Sequence, residues 1–202
     1  MRVHAAVIAA VLILMAGCGD SDSDSGDADR SSQSAAETAQ ARAVDEAEDA
    51  AASDPRDPEA LARLIRARFA AAAGDGNFAT KGFSAAGKAQ LRRAAADWER
   101  YLGLVPSKPD VQLAALMVQV FNVNGLNQPR RAAIAQEFIV AERRPPSASL
   151  YAQLALLYYE AGQVGVGDRA AERAVSLSPP GQRGSLRRQL RQLKESQVPP
   201  AP

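Results

Sequence analysis

Apolar and polar positions along this chain alternate in blocks, and the blocks are separated by clusters of proline. From residue 35 onward apolar residues recur three and four apart: Ala43, Ala47 and Ala50; Leu91, Ala94, Ala95, Trp98 and Leu102; Leu113, Leu116, Met117, Val120 and Phe121; Leu186, Leu190 and Leu193. That spacing places each set on one side of a helix. Prolines gather at 54–58, 105–109, 144–146 and 178–180. Proline stops the helix before it and suits the first turn of the next, so each cluster predicts a joint between helices. The predicted helices cover 35–52, 59–73, a segment through Leu91 to Leu102, one through Leu113 to Phe121, one carrying Phe138 and Ala141, then 149–161, about 164–177, and 185–197. Composition fits an all-α class, because 47% of residues are apolar but only 5% are aromatic, and much of the apolar share is alanine.

Joints recurring at intervals of roughly 35 to 50 residues predict stacked helical hairpins. The clearest unit spans residues 148–179, with two helices split by Gly162 and Gly165. Counted from Ala148, the residues Tyr151, Leu154, Ala155, Tyr158, Gly167, Ala171, Ala174 and Pro179 occupy eight characteristic positions of a tetratricopeptide repeat (TPR), which the unit resembles. Small residues at 155, 167 and 174 would let two helices approach closely, while the large ones fill the space between hairpins. Units 109–146 and 58–106 are longer and more degenerate.

The resemblance implies an α-solenoid of about three degenerate repeats with flanking capping helices, over residues 35–197. It also implies a concave groove that holds a protein or peptide, lined by the first helix of each repeat. Gln153, Leu156, Tyr159 and Glu160 would lie on it, as would Val118, Phe121 and Asn122 in the preceding repeat. Leu156, Val118 and Phe121 can equally be packing residues. The basic Lys/Arg/Asn set with which some family members clamp a terminal carboxylate is not apparent there. A non-catalytic scaffold is therefore expected, with an accessory subunit of an envelope assembly or enzyme complex as the alternative.

The amino end adds a location. A single basic residue, Arg2, precedes an apolar run at 5–16 that falls short of the about 20 residues needed to cross a bilayer, so 1–17 is expected to be a signal peptide. Met15-Ala16-Gly17-Cys18 resembles the bacterial lipobox, although Leu14 sits one step earlier than the usual leucine. The resemblance implies cleavage before Cys18, a diacylglycerol on its thiol as the one attached group, and a place in the cell envelope on a membrane outside the cytoplasm. Residues 18–34, rich in Asp and Ser, are expected to form an acidic disordered tether, and 198–202 a Pro-rich tail. Asp20, Asp22 and Asp24 alternate as in a calcium loop, but Gly26 is one place late and Ser31 stands where the bidentate Glu belongs.

Charge and chemistry narrow the function classes. With 24 basic against 23 acidic side chains, the chain has no global field to attract nucleic acid. The balance is uneven: residues 20–54 are strongly acidic, and the tail around Arg183, Arg187, Arg188, Arg191 and Lys194 is basic, both read as solvated segments before binding patches. The only histidine, His4, and the only cysteine, Cys18, lie at the leader, so no Ser-His-Asp or Cys-His arrangement, Cys/His zinc site or disulfide can form in the body. Asp97 and Glu99, or Glu137 and Glu142, are the carboxylates an enzyme would use, but their spacings do not share a helix face. The segment Gly74-Asp75-Gly76-Asn77 lacks the ending of a phosphate loop and reads as a turn.

Overall fold

A computed structural model describes residues 25–74, 82–104 and 109–197, with side chains from residue 35. The leader, Cys18, residues 75–81 of the Gly-rich segment, 105–108 of the second proline joint and the 198–202 tail lie outside the described residues. The described residues are all-helical, 82% helix with no strand, in eight α-helices packed as neighbouring pairs, an arrangement compatible with an α-solenoid.

Helix α1 spans Ser25–Ser53, α2 Pro58–Ala73 and α3 Ala85–Leu104. Then follow α4, Val111–Phe121, α5, Pro129–Glu142, α6, Ala148–Glu160, α7, Val164–Leu177, and α8, Arg183–Gln197, the last entered through a short 3₁₀ turn at Pro180–Gln182. Helix breaks at 54–57, 143–147 and 178–182 fall at the first, third and fourth proline clusters. Pro58 and Pro129 each open a helix, where the missing amide hydrogen costs nothing. Asp57 caps α2 by accepting from the Glu59 amide at 2.8 Å, and Asp110 caps α4 from Gln112 and Leu113 at 2.7 and 3.1 Å. Helix α1 begins ten residues before the expected boundary at Ala35, so the backbone over 25–34 is helical.

Between α1 and α3 the helices pack closely along small residues: Ala51, Ala60, Ala72 and Ala94 are all at most 3% exposed. Leu61, Ile65 and Leu91 fill the rest of that core and are fully buried. The transition to α4 and α5 is different. Here α3 and α5 meet through long side chains, with Trp98 edge-on to Phe138 at 6.2 Å and the Arg131 guanidinium reaching Glu99 at 2.6 Å and the Ala95 carbonyl at 3.2 Å. Helix α4 brings Leu113, Ala114, Met117, Val120 and Phe121 into the core with no exposed surface, so four residues of the apolar face read from the sequence are fully buried and the fifth, Leu116, is half-buried beside them.

The α6–α7 hairpin is closely packed. Gly162, at a φ of 70°, makes the left-handed turn between the helices that glycine tolerates best. Gly167 then faces α6 so closely that a Cβ there would lie 2.5 and 2.6 Å from Tyr159 ring carbons and 3.2 Å from the Ala155 carbonyl. Leu154, Ala155, Tyr158 and Ala174 are buried, Tyr151 and Ala171 partly so, and Pro179 is exposed. Close approach through small residues is thus present in this hairpin, for the steric reason that the sequence suggests. Helix α8 lays Leu186, Leu190 and Leu193 against α6 and α7 and closes the array.

Candidate functional site

The expected groove residues separate into two groups. On α4 they are structural. Phe121 has no exposed surface and sits under Arg131, whose guanidinium carbon lies 4.3 Å from the ring centroid. Asn122 builds the turn after α4: its side-chain carbonyl accepts from the amides of Asn124 and Gly125 at 3.0 and 2.9 Å, the local bonding at which asparagine excels. Val118 is half-buried against the core. A groove role for Phe121 is corrected here to packing, because the following turn folds the chain back over it.

On α6 the picture is more open. Gln153, Leu156 and Glu160 follow each other at three and four residues and therefore share a helix face. Gln153 is exposed, with its side-chain oxygen 3.4 Å from the Gln136 amide nitrogen. Leu156 is half-buried. Glu160 is half-buried, and burial pushes its carboxyl above the ordinary range.

Tyr159, about 100° round the helix from Glu160, lines a cleft of about 480 Å³ between α7 and α8. Its ring is buried, and its hydroxyl donates to Asp168 Oδ1 at 3.0 Å. Burial, and then the bond to that carboxylate, raise the phenol. Lys194 of α8 grips the same carboxylate through Nζ at 3.0 and 2.8 Å. That hydrogen bond holds the Asp168 carboxyl below its ordinary value, against the opposing effect of burial. One clasp thereby ties α6, α7 and α8 together at one end of the cleft.

Beyond the clasp the floor is apolar, with Ala171, Val175 and Leu190, and the sides carry Glu172 from α7 and Arg187 and Arg191 from α8. Arg183 also lines the cleft but is committed to the end of α7, donating from Nε to the Ser178 carbonyl at 2.9 Å and from Nη2 to Ser176 at 3.3 Å. Arg187 and Arg191 have no carboxylate in pairing range among the described residues. Sequence reasoning took this basic tail as a solvated segment before a binding patch and missed that Arg187 and Arg191 overhang a cleft. The signal was available in the four-residue spacing of 183, 187 and 191, which makes one stripe beside the leucine face.

Three of the four carboxylates considered for an enzyme have structural partners. Asp97 is 6% exposed and accepts from Arg68 Nε at 2.8 Å and Arg100 Nη1 at 3.0 Å. Glu99 pairs with Arg131, and Glu137 accepts from the Tyr158 hydroxyl at 2.5 Å. Glu142 is exposed. Among the described residues no group of three or more His, Cys, Asp or Glu could hold a metal ion, and no helix is long and apolar enough to cross a membrane.

Compared with protein-family models, with curated proteins and with solved structures, the chain matches none of them.

Proposed function

We propose that the chain is a membrane-tethered scaffold of the bacterial envelope, built on TPR-like repeats, that holds a protein or peptide partner without catalysing a reaction. The observation that carries this reading is the second half of the array. A hairpin packed on glycine and alanine presents Leu156 and Gln153 on one side, and a half-apolar, half-charged cleft opens between its second helix and the closing helix. Concave surfaces between stacked helices are where repeat proteins bind extended partners. The lipobox-like Met15-Ala16-Gly17-Cys18 supports the location, since a diacylated cysteine supplies the two acyl chains that durable anchoring needs.

Two variants test the two halves of the proposal. Cys18→Ser is expected to move the protein from the membrane fraction to the soluble fraction, and unchanged membrane retention would defeat the tether. Leu156→Glu is expected to strip a co-purifying partner while leaving the helical circular-dichroism spectrum intact. Retention of every co-purifying partner by that variant would remove the α6 face from the binding surface.

A further inference from the structure

The cleft between α7 and α8 carries an electrostatic arrangement that folding alone does not account for. Of its four basic side chains, two are occupied: Lys194 by Asp168, and Arg183 by the last carbonyls of α7. The remaining two, Arg187 and Arg191, sit one helical turn apart on the same stripe, where like charges repel. Both are exposed, and neither reaches a carboxylate among the described residues. The same cleft has an apolar floor in Val175 and Leu190, and Glu172 stands on the wall opposite the arginines.

We propose that this cleft recognises an acidic peptide segment of the partner protein, taking its carboxylates on Arg187 and Arg191 and an apolar side chain between Val175 and Leu190. The inference rests on the scaffold reading and assigns the partner's chemistry. Guanidinium forks suit carboxylates because each can offer two parallel N–H donors. A compact dianion such as free phosphate fits less well. It would leave the apolar floor uncovered and would bring concentrated negative charge up to Glu172. A peptide spreads its charges along the arginine side and can turn an apolar or basic residue toward the floor and the glutamate. The Asp168–Lys194 clasp, tied to the Tyr159 hydroxyl, fixes one end of the cleft, so the spacing between the two walls is set before the peptide arrives.

The test is fluorescence anisotropy on the purified full chain with two labelled synthetic peptides, one alternating Glu and Leu and the other with each Glu replaced by Gln. The acidic peptide is expected to bind at least about ten-fold more tightly than its amide counterpart, and to weaken several-fold as salt rises through the range where the Debye length falls below about 10 Å. The double variant Arg187→Gln/Arg191→Gln is expected to lose at least about ten-fold of that affinity with an unchanged melting curve, since neither arginine holds a partner in the fold. Arg188→Gln, on the same helix but outside the cleft lining, is the control and should bind as the parent does.

Equal binding of the two peptides would overturn the proposal, as would equal losses in the Arg188→Gln and double variants, which would mean unspecific attraction to a basic helix. Binding of anionic phosphatidylglycerol vesicles through Arg187 and Arg191, without peptide binding, would overturn it in favour of a lipid headgroup. Salt-sensitive dimerisation by light scattering, again without peptide binding, would replace the partner with a second copy. A photo-crosslinker at Gln153 in intact cells separates this inference from the reading beneath it. Partner capture there with no acidic-peptide binding leaves the scaffold standing and this inference refuted, and no capture refutes both.

Discussion

Two ion pairs at opposite ends of the array have the same length and different surroundings. Arg68 Nε lies 2.8 Å from Asp97 Oδ2 and Lys194 Nζ lies 2.8 Å from Asp168 Oδ2, yet the first pair is 9% and 8% exposed and the second 35% and 42%. Around Arg68 three acceptors converge, Glu48 at 2.9 Å and Gln90 at 3.4 Å joining Asp97 in a knot among α1, α2 and α3. Around Lys194 the knot is incomplete, and two arginines on the same helix reach into a cleft without partners. A buried pair desolvates both charges and becomes costly to break, whereas a half-exposed one is worth little to stability and leaves its neighbourhood open. The comparison teaches that the amino-terminal charges hold the fold while the carboxy-terminal ones shape a surface.

The largest effect that could break this contrast is at the buried end. Asp97→Ala strands the Arg68 guanidinium in the core with only the half-exposed Glu48 to balance it, and is expected to cost about 3 kcal/mol in urea unfolding. A loss below about 1 kcal/mol would place Asp97 in the same class as Asp168.

Next in size is the contact that shapes the cleft wall. Gly167→Ala gains helix propensity of about 1 kcal/mol but forces a methyl against the Tyr159 ring, an overpacking cost of about 1 to 3 kcal/mol, so a net destabilisation of about 1 kcal/mol is expected. In a Tyr159→Ala background the same change should cost nothing, and the double-mutant cycle measures that coupling. Additive effects would show that the close approach lies elsewhere.

The smallest effect sharpens the comparison through pH. Because Lys194 holds the Asp168 carboxyl below its ordinary value, the folded state binds its proton less readily than the unfolded chain does. The stabilisation is therefore fully present above an unfolded aspartate value of about 3.9 and is lost as pH falls through the lower folded value. Lys194→Met is expected to cost less than about 1 kcal/mol at neutral pH, the pair being more than a third exposed. The difference from the parent should shrink towards zero in acid. A difference that persists unchanged at low pH would mean that Lys194 acts through its packed aliphatic stem.

Much of the fold was legible in the sequence because proline, glycine and alanine act locally. Pro58 and Pro129 open helices, Gly162 turns the chain, and Gly167 marks a close approach, all by steric rules that need no knowledge of the partner helix. The site was less legible because binding surfaces depend on which faces remain after packing. Phe121 and Leu156 both occupy apolar helix positions, but a turn built by Asn122 buries the first while the second stays half-exposed. Arg187 and Arg191 were visible as a basic stripe, yet only the docking of Leu186, Leu190 and Leu193 onto α6 and α7 turns that stripe toward a cleft. The start of α1 at Ser25 escaped the reading because an Asp- and Ser-rich segment offers no apolar period to detect.

The most direct test of the central claim is site-specific photo-crosslinking in intact cells, with the reactive residue placed in turn at Gln153, Glu172 and Arg92. The first two lie on the α6 face and the cleft wall, and Arg92 is an exposed position on α3. The account predicts one discrete protein adduct from 153 and 172 and none from 92, whereas the same adduct pattern from all three positions, or none from 153 and 172, would contradict it.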